Sequence, residues 1–118
     1  MNNFTFNAKG IYYEGDGGYE ILFSFHSNFI NLRRLSLNYS GNGLGSKATG
    51  TLSKDLSKFT HLNWFDINLS YNKIGDIGVE NLLFSGIYAN LLHLNLNLKE
   101  NSIGKKGAEK LSASLSKM

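Results

Sequence analysis

The sequence predicts an α/β fold: a short right-handed solenoid of about four stacked strand–turn–helix units, with a parallel sheet on the concave side and helices on the convex side. Three observations predict it. The stretch Trp64-Phe65-Asp66-Ile67-Asn68-Leu69-Ser70-Tyr71-Asn72-Lys73-Ile74-Gly75-Asp76-Ile77-Gly78 returns, with altered polar positions, as His93-Leu94-Asn95-Leu96-Asn97-Leu98-Lys99-Glu100-Asn101-Ser102-Ile103-Gly104-Lys105-Lys106-Gly107. An earlier copy runs from Arg34 to Ala48. Asn42, Asn72 and Asn101 hold the same place in the three copies, 30 and 29 positions apart, and a constant period of that size means stacked supersecondary units. Within each copy, apolar residues first alternate, as in a strand with one face inward, and then recur at helical spacing after a glycine-rich turn.

Residues 1–30 read as a degenerate first unit. Phe4-Thr5-Phe6-Asn7 parallels Leu35-Ser36-Leu37-Asn38, and Gly15-Asp16-Gly17-Gly18 parallels Gly75-Asp76-Ile77-Gly78. One extra residue separates the two pieces and the turn asparagine is missing, as suits the atypical end of a stack. Tyr19, Leu22 and Phe23 share a face of a helix over Tyr19 to His26, a run also aromatic enough for a strand; we adopt the helix.

The second unit, 31–60, turns Leu35, Leu37 and Tyr39 inward, then starts a helix with Ser46 as N-cap and Leu52, Leu56 and Phe59 at roughly helical spacing. The third, 61–90, turns Phe65, Ile67 and Leu69 inward. Its helix takes Asp76 as N-cap and packs Val79, Leu82, Leu83 and Ile87, with Ile87 compensating for Gly86, which stands where other units have leucine. The fourth, 91–118, has Leu94, Leu96 and Leu98 inward, then Ala108, Leu111 and Leu115 on a helix running to Met118. Residues 1–118 are expected to form a single domain.

Asn42, Asn72 and Asn101 are expected to point into the turns and hydrogen-bond backbone groups that each departing strand leaves unpaired. Such a structural asparagine ladder would run from unit to unit.

Composition narrows the function classes. The chain has 118 residues, 42% hydrophobic and 18% charged, which suits a folded protein with a modest core. It has no cysteine, so disulfides and thiolate metal sites are excluded. The N-terminus lacks an apolar signal core and an arginine-rich transit pattern, and no run approaches about 18 apolar residues, so an intracellular, cytoplasmic location without membrane contact is the default expectation. Net charge is +3, a mild excess, although five of twelve basic residues, Lys99, Lys105, Lys106, Lys110 and Lys117, crowd the C-terminal end.

The motif apolar-x-apolar-x-x-Asn-x-Ile/Leu-Gly-x-x-Gly, present at Ile67 to Gly78 and Leu96 to Gly107 and more weakly at Leu37 to Ala48, resembles the leucine-rich repeat family and specifically its ribonuclease-inhibitor-like class. The resemblance covers residues 30–118 and, more loosely, the whole chain. It implies a leucine-rich repeat solenoid whose concave face binds protein. Tyr39 departs from the leucine seen later as Leu69 and Leu98, and Ala48 replaces a glycine. The load of asparagine, lysine, isoleucine, tyrosine and phenylalanine is similar to that of proteins from AT-rich protist genomes, where such repeats abound.

Between the inward residues of each strand lie those that face out, and three units arrange them in rows. One row is Arg34, Trp64 and His93; the next Ser36, Asp66 and Asn95; then Asn38, Asn68 and Asn97, which Asn7 extends; then Ser40, Ser70 and Lys99. An exposed Trp64 flanked by Arg34 and His93 has the composition of an interface hot spot, and the competing reading packs it on Arg34 within the chain. For the asparagine row, amides satisfying one another along the sheet and amides contacting a ligand are both open.

Enzyme chemistry finds no footing. His26, His61 and His93 have no spacing that gathers them, no His-Glu-x-x-His occurs, and the serines lack a nucleophile elbow. Gly41 to Lys47 is glycine-rich before a helix, yet fits neither phosphate-loop spacing and is explained by alignment with the other turns. No catalytic residue, cofactor or metal is expected. The sequence therefore predicts a non-catalytic protein-binding or scaffold module, an accessory subunit of a larger assembly. The alternatives are a structural spacer of a longer repeat protein and, less well supported, a weakly basic nucleic-acid-associated subunit.

Overall fold

The computed structural model describes residues 3–10, 31–83 and 87–117. The helix expected over Tyr19 to His26, the first unit's glycine turn and the compensation of Gly86 by Ile87 lie outside the described residues. Element order is β1 (Asn3–Asn7), β2 (Arg34–Asn38), α1 (Ser46–Leu56), β3 (Trp64–Asn68), α2 (Gly75–Leu82), a 3-10 turn (Ile87–Asn90), β4 (His93–Asn97) and α3 (Lys105–Leu115). The four strands form one parallel sheet in chain order. α1 packs on α2 and α2 on α3.

Register follows the repeat. Phe4, Leu35, Phe65 and Leu94 align across the sheet, as do Phe6, Leu37, Ile67 and Leu96. These rows face the helices and form the core with Leu52, Leu56, Val79 and Leu82. Burial is complete in the middle and falls at β4, where Leu94 and Leu96 are only half-buried. Tyr39 fills its leucine position without exposure and lies 6.1 Å, ring to ring, from Phe6. Burial, with the charge of Asp55 second, pushes its phenol well above the usual range.

The turns are held by buried amides. Asn42 Nδ2 donates to the carbonyls of Ala8 and Tyr39. Asn72 Nδ2 donates to those of Tyr39 and Leu69, and Asn101 Nδ2 to those of Leu69 and Leu98. Each amide thus ties its own strand end to that of the preceding unit. Returning the interaction, Asn72 Oδ1 accepts the N–H groups of Asn42 and Leu44 at 2.9 and 3.0 Å, and Asn101 Oδ1 accepts that of Ile74 at 3.3 Å. At Asn42 the side-chain oxygen is buried without a partner among the described residues, so the two-way link is seen only between the second, third and fourth units. One residue ahead of each asparagine, Gly41, Tyr71 and Glu100 share the left-handed conformation, with φ of 68°, 58° and 58°. The turn imposes that backbone whichever residue occupies it.

The helix starts differ from the sequence expectation. Ser46 is the first helical residue of α1 rather than its N-cap; Gly45 holds that place, with no side-chain cap bond. The Ser46 carbonyl instead receives Thr49 Oγ1 and Asn81 Nδ2. Asp76 lies inside α2 and its carboxylate reaches the next unit, accepting the N–H of Gly104 at 2.7 Å. Contact between units thus overrides local capping. The glycine that closes the motif belongs to that contact: a Cβ at Gly78 would meet the Ile74 side chain and the Ser46 backbone, and one at Gly107 would meet Asp76.

The helix ends differ too. α1 stops at Leu56, and Phe59 packs into the core from the following turn. α3 stops at Leu115, with Ala108 exposed, Leu111 half-buried and Leu115 41% exposed. Among the described residues nothing follows α3 in the stack, so its expected packing face is only partly covered.

Candidate partner-binding face

Strand pairing brings the outward residues into register. Arg34 aligns with Trp64 and Trp64 with His93; Ser36, Asp66 and Asn95 form the next row, and Asn38, Asn68 and Asn97 the third, which Asn7 extends. In the first row the rings stack: Trp64 and His93 have centroids 4.6 Å apart and planes 5° from parallel. The Arg34 guanidinium carbon lies 5.7 Å from the indole centroid. Trp64 is half-buried by these neighbours rather than freely exposed, while Arg34 and His93 are exposed. Indole, imidazole and guanidinium form one continuous patch at the start of the strands.

Below this rank lies a polar cavity of about 310 Å³, lined by Ser36, Asn38, Asp66, Asn68, Asn95 and Asn97 together with Leu37. Asp66 supplies its one formal charge. The asparagine row does not bond along the sheet. Asn38 Oδ1 accepts the N–H and hydroxyl of Ser40, and Asn68 Oδ1 those of Ser70. Ser40 and Ser70 are 4% and 5% exposed, so the fourth row of the expected grid is not a surface there. They are consumed in turns where the chain leaves the sheet, which leaves Lys99 as the exposed member of that row. Lys99 Nζ sits 5.7 Å from the centroid of the Tyr71 ring, itself 57% exposed.

A family model described as Leucine Rich repeat matches residues 66–83 and 90–112. This observation joins the parallel sheet, the flanking helices and the asparagine-linked turns. The two matched segments are leucine-rich repeats, and the fold is that of a short leucine-rich repeat solenoid. A comparison with curated proteins found no match. Leucine-rich repeats generally mediate protein–protein interaction, and the matched segments contain Asp66, Asn68, His93, Asn95, Asn97 and Lys99 from the outward rows.

Other surfaces of the chain are less organised. A cavity of about 540 Å³ opens on the helix side between Lys47, Gly50, Lys54 and Asn81. On α3, Lys105 lies 4.0 Å from Glu109, and Lys110 lies 4.0 Å from Glu80 on α2, so acidic partners interrupt the basic end. Among the described residues there is no cluster of three or more metal-ligating side chains, and no helix is long and apolar enough to cross a membrane.

Sequence reasoning placed the rows but missed the Trp64–His93 stack and the serine-capped amides. The second had a legible signal. Asn38-Tyr39-Ser40 and Asn68-Leu69-Ser70 carry an asparagine two residues before a serine at a strand exit, the pattern of a side chain folding back on its own turn.

Proposed function

We propose that this chain is a non-catalytic protein-binding module of the ribonuclease-inhibitor-like class, an accessory subunit of a larger intracellular assembly that takes a protein partner on the concave face of its sheet. One observation carries the reading: a single open face presents the Arg34–Trp64–His93 stack beside a polar cavity. Large aromatic area with donors next to it is the composition of interface hot spots, and the recessed amides and Asp66 supply orientation. A photocrosslinking residue at Ser36, on the concave face, should capture a protein in native cells, whereas one at Lys106, on α3, should not. Capture from Lys106 alone would place the interface elsewhere.

A second reading, a spacer within a longer repeat array, draws on the half-buried Leu94 and Leu96 of β4, whose counterparts Phe65 and Ile67 are fully buried. A strand edge and apolar flank of that kind are liabilities unless covered. Sedimentation with thermal unfolding separates the two: self-association or non-cooperative melting favours the spacer, and a cooperative monomer favours the binding module.

A further inference from the structure

The asparagine row has a fixed chemical polarity. Asn7, Asn38, Asn68 and Asn97 stand side by side across all four strands. In each, the side-chain oxygen accepts the backbone N–H two residues on, from Lys9, Ser40, Ser70 and Lys99, at 3.0, 3.1, 2.9 and 3.1 Å. A backbone N–H can face only an acceptor, so the orientation of every amide is decided: oxygen toward the turn, NH2 away from it. Among the described residues these NH2 groups have no acceptor, and the side chains are exposed at Asn7 and Asn97 and half-buried at Asn38 and Asn68. With neighbouring strands about 4.8 Å apart, the row is a line of paired N–H donors about 14 Å long.

We infer that the concave face recognises an acidic, acceptor-rich peptide segment laid across the strands along the line of Asn7, Asn38, Asn68 and Asn97. The inference rests on the protein-binding reading above and names the chemistry of its partner. Desolvated donors must find acceptors, and a partner offering only donors would leave both sets unpaired. Carboxylates accept several such bonds and strengthen them by charge. The cations Arg34 and Lys99 lie on the same face, and a basic segment would find only Asp66 for charge pairing in the cavity. The small number of cations on this face disfavours a phosphate backbone, whose binding rests on several lysines or arginines.

The test titrates the full chain with fluorescein-labelled peptides of alternating glutamate and serine, or lysine and serine, and with a single-stranded RNA oligonucleotide, reading anisotropy. The glutamate peptide should bind at least about tenfold more tightly than either other probe. Asn68→Asp and Asn97→Asp keep the oxygen that caps the turn but replace the outward donor with a negative acceptor, and each should weaken glutamate-peptide binding about tenfold with melting temperature retained. Lys106→Glu on α3 should leave binding within about twofold, which excludes attraction by net charge alone. Equal binding of the lysine peptide or RNA, indifference to both asparagine variants, or loss in Lys106→Glu would overturn the inference. Crosslinking from Ser36 reports separately on the parent reading. Capture there with a preference for the lysine peptide would sink only the donor-line inference, and capture from Lys106 alone would sink both.

Discussion

The imidazole of His93 lies flat against the indole of Trp64, 4.6 Å away and 5° from parallel, because β3 and β4 pair in register at these two residues. Aromatic pairs of this kind contribute about 0.5–1.5 kcal/mol beyond the area they bury. A double-mutant cycle of Trp64→Ala and His93→Ala, read by urea unfolding, should return a coupling energy in that range. Strictly additive effects would mean that the stack adds nothing to stability.

The turn amides predict a graded series. Asn72→Ala removes the acceptor for Asn42 and Leu44 N–H and a donor to the Tyr39 and Leu69 carbonyls, all in a buried turn. Leaving several buried groups unpaired should cost about 3 kcal/mol or more. Asn101 Oδ1 accepts one backbone N–H at 3.3 Å, so Asn101→Ala should cost less. Chemical denaturation of the two variants checks the order, and equal losses would contradict a two-way link at Asn72.

What the sequence disclosed and what it hid divide along physical lines. Phe65, Ile67, Leu69 and Asn72 answer to stacking, which repeats in every unit, so period and alternation display them. Ser46 and Asp76 looked like helix caps because capping is local, and both are instead drawn into contacts with the neighbouring helix. The polar rows followed from alternation alone. The ring stack did not, because rotamers depend on three strands at once, and the burial of Ser40 and Ser70 depended on the path of the chain after the sheet.

Two glycines should respond oppositely to alanine. At Gly107 a Cβ would press on the Asp76 side chain and come within 3.1 Å of its Cα, and the backbone cannot give way cheaply. Gly107→Ala should destabilise by about 1–3 kcal/mol. At Gly50, within α1, a Cβ would meet only the Asn81 amide at 3.7 Å, an ordinary contact. Gly50→Ala should therefore stabilise by about 0.5–1 kcal/mol through helix propensity. Melting temperatures of the pair decide, and a shift of the same sign in both would refute the packing argument.

Asp55 predicts a pH dependence. Burial raises its carboxyl above the usual range, against the opposing pull of Lys58. The folded chain therefore holds this proton more tightly than the unfolded chain, and the resulting stabilisation, full below the ordinary carboxylate value of about 4, is lost as pH rises through the raised one. Asp55→Asn, neutral throughout, should melt higher than the parent at pH 7, with the gap closing toward pH 4. A gap that widens on acidification would reverse the sign of this argument.

The claim that the concave face is the recognition surface is tested most directly by the affinity of the crosslinked partner, once purified, for the parent chain, Trp64→Ala and Lys106→Glu. The account predicts that Trp64→Ala weakens binding about thirtyfold, as truncating a hot spot of about 2 kcal/mol does, while Lys106→Glu stays within about twofold. Unchanged affinity in Trp64→Ala together with loss in Lys106→Glu would contradict it.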